Sequence, residues 1–340
     1  MNRTLFDLRG VGLIVAIAWT LAMAQTAQAQ DAPEAEASIE IVRTGIPHDA
    51  LYAIEMSGEW GLAVGNFGLM LETKDGGGSW TILEPKTTLA LLGVSLGGKR
   101  QLVVGQQGLA MTREADGEWT VVDTGFTQRL LNVDMNDSGV AVAVGEFGFI
   151  GLSRDYGATW QAVTIDWSTY NEEGYEPHLY GSVVEDDGTI MVTGEFGLIL
   201  RSSDGGQTFA AVNTGEESVF DVFISRDGSN TGYAVGQEGL VLKTSDNGDT
   251  WQRIEVDTNS NLLGVWSGNG EVVITGIRQM LRSSDDGASF SGTEDINVIR
   301  TWFQGIGAGV AETQTGEKGF LRQQSIYIVG HRGTIARVIR

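Results

Sequence analysis

Three arginines in the last third of the chain, Arg278, Arg300 and Arg332, are the side chains best suited to anion chemistry. A guanidinium pairs bidentately with carboxylate or phosphate, so three that converged would hold an anionic group of a substrate or of a partner. Three histidines, His48, His178 and His331, could ligate a metal, but no third ligand accompanies His48 and His331, and they read as surface residues. Glycoside hydrolysis needs two facing carboxylates, and with 44 acids in the chain no pair stands out. No nucleophile motif or phosphate-binding fingerprint is present. The expectation is a non-enzymatic chain with no cofactor and no metal.

The other residues that invite contact are aromatic. Trp167, Tyr170 and Tyr175 crowd one short segment, and Phe67, Phe147 and Phe196 each sit between two glycines spaced three apart. Arginine and large aromatics are the usual energetic anchors of protein interfaces. Whether these act together depends on the scaffold that carries them.

Arg3 and Arg9 precede an apolar run from Val11 to Ala24 that ends in Ala27-Gln28-Ala29, the layout of a secretory signal peptide over residues 1–29. Its 14 apolar residues fall short of the roughly 20 that span a bilayer. Cleavage after Ala29 would leave a short acidic leader, 30–37, and a domain over 38–340. The expected product is periplasmic, or secreted, with no direct membrane insertion. The net charge of −22 becomes one unit more negative without Arg3, Arg9 and Asp7, which makes nucleic acid a poor partner. There is no cysteine, so neither disulfides nor a lipidated cysteine contribute.

A glycine closes a short apolar run at Gly65, Gly105, Gly145, Gly194, Gly236, Gly276 and Gly330, at spacings of 40, 40, 49, 42, 40 and 54. A second glycine follows three residues later in every copy but the sixth, where Gln279 stands. Each copy reads as four strands, a to d. Strand a resembles Leu130-Leu131-Asn132-Val133, strand b ends at the repeat glycine, and the Gly-x-x-Gly pair turns tightly into strand c. Between c and d comes Ser/Thr-x-Asp-x-Gly-x-Thr/Ser-Trp/Phe, built on Asp75 and Trp80, Asp155 and Trp160, Asp204 and Phe209, Asp246 and Trp251, and Asp285 and Phe290. The second copy keeps a shortened form with Asp116 and Trp119. Asp and Ser/Thr side chains set such turns by bonding nearby amides, and the aromatic anchors strand d. The role is structural, since a calcium site needs six to eight converging oxygens.

The seventh copy ends at Arg340 without its own strand d, while Ile39 to Gly45 match the strand d of another copy, Trp119 to Gly125, almost position by position. The fold class expected is therefore all-β, a seven-bladed β-propeller whose ring is closed by the N-terminal strand, residues 38–44.

The Val-Gly-x-x-Gly hairpin followed by the Asp-turn and Trp resembles the photosystem II stability and assembly factor family of Asp-box, or BNR-type, propellers, over nearly all of residues 38–340. The resemblance implies a factor that docks on an integral membrane protein during assembly. For non-photosynthetic bacterial members it implies a periplasmic accessory of membrane machinery, resistance-nodulation-division type transporters included. Cyanobacterial members typically carry a lipid anchor on an N-terminal cysteine, and this chain departs from that pattern in having no cysteine. Sialidases and other glycosidases share the Asp-box propeller, and Arg278, Arg300 and Arg332 could imitate a sialidase arginine triad. No tyrosine nucleophile can be assigned, and the arginine motif near the start of sialidases is missing, so glycoside hydrolysis or carbohydrate binding is the alternative.

In such blades the b-c hairpins and d-to-a connections share one face of the disc, here called the top. Arg278, Arg300, Arg332 and Arg43 then form a basic patch, opposed by Glu146, Glu195 and Glu238, with Trp167, Tyr170, Tyr175, Phe67, Phe147 and Phe196 as apolar contacts for the client. On the bottom face, Gly307 to Gly319, within the segment 305–324, reads as a flexible excursion.

Overall fold

The computed structural model describes residues 37–98, 100–170, 174–315 and 319–339; the segment read as a signal peptide, 1–29, and nearly all of the one read as an acidic leader, 30–37, lie outside them. The described residues form seven four-stranded antiparallel sheets, the blades of the propeller. In blades one to six the strand order is that of the sequence, a-b-c-d. Blade seven takes its strand d, Ser38–Arg43, from the start of the chain; it pairs antiparallel with Ile335–Ile339, from Ser38 opposite Ile339 to Arg43 opposite Ile335. Asp295, in the connection that follows blade six, accepts from the Ile39 amide at 3.0 Å, and the Thr293 hydroxyl donates to the Ala37 carbonyl. The closing strand is thus tied to the ring on both sides, which removes an open sheet edge.

Why seven blades cohere is visible in the core, which is not one cluster but seven, one between each pair of neighbouring blades. Strand b of each copy is apolar on both faces, as in Val142, Ala143 and Val144, all without exposure. A strand covered on both sides loses the alternation of a solvent-facing strand and reads as a continuous apolar run. Six of these clusters take in the aromatic of one Asp-turn: Trp80, Trp119, Trp160, Phe209, Trp251 and Phe290.

The turns themselves repeat nearly atom for atom. In the third copy Asp155 Oδ1 accepts from the Ser153 hydroxyl at 2.8 Å and from the Thr159 amide at 2.8 Å, and Oδ2 accepts from the Thr159 hydroxyl at 2.6 Å. Ser153 in turn accepts from the Gly157 amide at 2.9 Å. Asp75, Asp204, Asp246 and Asp285 make the same set. Hydrogen bonds led by the Thr250 hydroxyl hold Asp246 at a pKa of about 2. Asp116 departs from the expected role: its carboxylate pairs with Lys74 of the preceding blade at 2.6 Å rather than closing its own turn. The shortened copy has no hydroxyl two residues before the aspartate, so the local network cannot form.

One expectation is corrected. Strands a and b of blade seven, Phe303–Thr315 and Gly319–Gly330, pair in register out to Thr315 opposite Gly319. The described parts of the segment read as a flexible excursion, up to Thr315 and from Gly319 on, are paired β-strands that prolong the hairpin of blade seven. Its glycine content masked the alternation by which a strand is recognised.

Candidate functional site

The top face is built from two concentric rings, both consequences of backbone geometry in the repeat. The outer ring is the hairpin tip. Gly65 opens the hairpin of blade one so close to strand a that a Cβ there would lie 1.8 Å from the Ala50 carbonyl oxygen. The tip residue two positions on is left-handed, a conformation uncommon outside glycine, asparagine and aspartate. Yet all seven tips carry side chains, at φ between 52° and 59°: Phe67, Gln107, Phe147, Phe196, Glu238, Arg278 and Arg332. Amides beside the tips donate to the d-to-a connections, as Gly68 to Leu89, Gly148 to Pro177 and Arg278 to Thr301, so hairpins and connections occupy one face.

Phe67, Phe147 and Phe196 are 70, 62 and 46% exposed. Phe147 lies edge-on to His178 at 5.1 Å, and Phe196 edge-on to Tyr175 at 5.1 Å. Arg278 and Arg332 are exposed at the tips of blades six and seven, and Arg300 is exposed at the end of the helical turn Ile296–Ile299 between those blades. These three form no ion pair among the described residues, whereas Arg113, Arg201, Arg253 and Arg282 are each paired with an acid. Three free guanidinium groups in so acidic a chain are available to an anionic partner.

Other expected contacts are placed differently. Trp167 is 7% exposed and packs into the core between blades three and four, beneath Gly148, where a Cβ would lie 2.5 Å from the indole. Tyr170 packs tilted against Trp167, with ring centroids 5.9 Å apart, and its hydroxyl donates to the Phe209 carbonyl at 2.8 Å. Both are structural: Asp166 caps a short 3-10 turn, Trp167–Thr169, that rolls the indole inward. Arg43 is half-buried and donates to the Gly333 carbonyl at 2.7 Å, holding the blade-seven hairpin instead of facing outward. Among the opposing acids, Glu146 is paired with Arg129 and Glu195 accepts from the His178 amide, leaving Glu238 as the acid displayed at a tip.

The inner ring has no counterpart in the sequence reading. Every strand a carries a β-bulge after its first residue. The bulge re-aims the second side chain toward the axis. Tyr52, Leu92, Leu131, Tyr180, Phe220, Leu263 and Gln304 therefore rim the axial channel, a cavity of about 500 Å³. Trp302 extends the rim, stacked on Tyr52 at 6.2 Å with His331 behind it at 6.2 Å. Deeper in the channel three carboxylates clamp successive strands: Glu55 accepts from the Leu96 amide at 3.1 Å, Asp134 from Val184 at 2.7 Å and Asp221 from Val265 at 2.9 Å. Arg226 lies 3.9 Å from Asp134. Burial, with the charge of Asp134 added, pushes Glu55 up to about 8, and burial lifts Asp221 to about 7. Aligning the seven copies places Glu55 and Asp134 where other copies carry serine or apolar residues, the one signal in the sequence that could have found them.

Residues 166–264 match the sequence model of a family described as photosynthesis system II assembly factor YCF48. The fold is that of a photosystem II assembly factor-like, BNR-type β-propeller. The chain superposes on a structure described as YCF48 bound to D1 peptide with a TM-score of 0.66 and 17% identity, covering 91% of this chain and 97% of that one. On YCF48 from Cyanidioschyzon merolae the TM-score is 0.64 at 18% identity, covering 89% and 98%. A GH74 xyloglucanase from Xanthomonas campestris gives a TM-score of 0.64 at 13% identity, covering 88% of this chain and 53% of the enzyme. At such identities the likeness is one of fold. No curated protein sequence matches the chain. In this BNR-type propeller the side chains of the two rings differ from blade to blade over one backbone.

Proposed function

We propose that the chain is an exported, non-enzymatic binding factor that docks by its top face on an integral membrane protein complex in the periplasm. The observation that carries the reading is the set of exposed, unpaired arginines, Arg278, Arg300 and Arg332, on the face that also displays three phenylalanines. Anionic groups of the client pair with the arginines, and its apolar side chains cover the aromatic tips. The likeness to YCF48, one structure of which holds a D1 peptide, supports the same class of role. A resistance-nodulation-division type transporter is the first client to test.

Hydrolysis is the weaker reading on chemical grounds. Of the three acids of raised pKa among the described residues, Glu55 and Asp221 are engaged with backbone amides of the next blade, and a carboxylate held in that way is poorly placed to shuttle a proton to a glycosidic oxygen, while Glu185 is not among the residues that line the channel. The test is a crosslinked pull-down of the mature protein from solubilised membranes of its own cell, repeated with Arg278→Glu, Arg300→Glu and Arg332→Glu combined. Recovery of one membrane complex by the parent and its loss from the variant is the expected result. Equal recovery by both overturns the arginine patch, and a specific hit in a glycan screen instead of a protein would move the assignment to carbohydrate.

A further inference from the structure

The axial channel, about 500 Å³, is lined by strand a of every blade and by none of the arginines or hairpin phenylalanines assigned to the client. That volume is typical of small-molecule sites, which combine an apolar wall with a few placed polar groups. Toward the top face the wall is apolar, made by Tyr52, Tyr180 and Phe220 with Leu92, Leu131 and Leu263. All six keep accessible surface. Tyr180 and Phe220, on neighbouring blades, meet edge to face at 5.3 Å.

Below this rim the channel turns acidic. Its lining holds four carboxylates, Glu55, Asp134, Asp221 and Asp227, against one cation, Arg226. Arg226 lies 3.9 Å from Asp134, and Glu55, Glu185 and Asp186 also draw on its charge. Asp227 closes its own turn by accepting from the Ser229 amide at 2.9 Å. Asp221 is left with no cation to offset its burial, and Glu55 has only the shared Arg226, which is why both titrate high, near 7 and 8. Asp134 acts through space on both, so the three belong to one acidic field. The clamps occupy Oε2 of Glu55 and Oδ2 of Asp221, one oxygen of each, and both residues keep accessible surface within the channel lining. Carboxylates fixed in place, walled by protein and short of positive charge favour a cation that comes from outside.

We propose that the axial channel is a binding site for an organic ammonium ion with an apolar body, its head held by Glu55, Asp134 and Asp221 and its body by the aromatic rim. The rim suits both halves of such a ligand, because aromatic rings attract a cation and also pack against hydrocarbon. The reach is right for an arylalkyl amine: Tyr52 and Glu55 are three positions apart on one strand, about 10 Å at most. A carboxylate held rigidly by an amide suits ion pairing, which needs a fixed charge, better than proton transfer, which needs a free one.

Isothermal titration calorimetry of the mature protein with 2-phenylethylammonium, against the alcohol 2-phenylethanol and the anion 3-phenylpropionate, tests it at low ionic strength. The ammonium is expected to bind at least about tenfold more tightly than either analogue. Its affinity should rise about tenfold from pH 6 to pH 8.5, as Asp221 and Glu55 lose their protons while the ligand stays charged. Glu55→Gln and Asp221→Asn combined keep an oxygen for each amide bond, and should lower the affinity at the higher pH about tenfold or more and flatten its pH dependence. Phe220→Ala should lower it about threefold or more and leave the pH dependence in place. Unchanged circular dichroism of the variants separates these effects from misfolding. Arg278→Glu, Arg300→Glu and Arg332→Glu combined should bind the ammonium as the parent does, which keeps this site distinct from client docking. No binding of the ammonium by calorimetry or ligand-observed NMR, equal binding of ammonium and alcohol by the parent, or unchanged affinity in the carboxamide variant overturns the proposal.

Discussion

The two faces of the disc are made by the same repeat and behave in opposite ways. On the bottom face the Asp-turn keeps its side chains in five of the seven blades, because aspartate, hydroxyl, glycine and aromatic each make a bond or contact that the turn requires. On the top face the hairpin keeps its backbone angles and changes its side chain, from phenylalanine to glutamine, glutamate and arginine. A position whose geometry is constant and whose chemistry varies is free of structural duty. The comparison teaches that the aromatic anchors of the turns hold blades together, while the aromatic tips of the hairpins are available to something outside the molecule.

The sharpest way to break this division is at Trp167, which sequence placed among the outward contacts and the structure places in the core. Trp167→Ala should cost about 3–5 kcal/mol in a urea unfolding series, the range for removing a large buried aromatic. A loss within experimental error would return the residue to the surface. At the Asp-turn, Ser153→Ala removes the acceptor of the buried Gly157 amide and should cost about 1–3 kcal/mol by the same measurement.

The channel acids and the Asp-turns should respond to pH with opposite sign. Glu55 and Asp221 titrate higher in the fold than their ordinary 4.5 and 3.8, so the folded state holds their protons longer than the unfolded chain does. Stability from this source is complete below about pH 4 and declines as pH rises through 7 to 8. Asp246 and Asp285 titrate near 2, so their contribution is present above about pH 4 and is lost as pH falls toward 2. Asp221→Asn should therefore leave stability nearly unchanged below about pH 4, raise it modestly at pH 5 and raise it most, by about 2–4 kcal/mol, at pH 9, read from unfolding midpoints across pH. A variant that loses stability equally at pH 5 and pH 9 would show that the carboxylate is needed as an anion. The smallest effect belongs to the hairpins: Phe147→Asn should change stability by less than about 0.5 kcal/mol. A larger loss would mean that the tip packs against its own blade, and the contrast between the faces would fail.

Blade count, strand order within a blade and the borrowed strand of blade seven were legible in the residues, because each rests on a local signal repeated seven times. The arginine and phenylalanine tips were legible for the same reason: each lies at a fixed offset from the repeat glycine. Trp167 and Tyr170 were not. An aromatic in a connection looks the same in sequence whether a capped turn rolls it inward or leaves it out, and only the presence of Gly148 beside it in space decides. The prolonged hairpin of blade seven was missed because strand pairing is a relation between two segments, and neither reads as a strand alone.

The sequence by itself determined the seven-bladed ring, its closure and the turn chemistry, since these follow from backbone preferences and from hydrogen bonds between residues a few positions apart. Only the tertiary structure decided what faces the axis. The bulge in each strand a turns Tyr52, Tyr180 and Phe220 toward the channel, and the clamps from Glu55, Asp134 and Asp221 join residues about 40 to 50 positions apart. The physical reason is that burial, and with it the protonation of those acids, belongs to the assembled ring and to no single repeat.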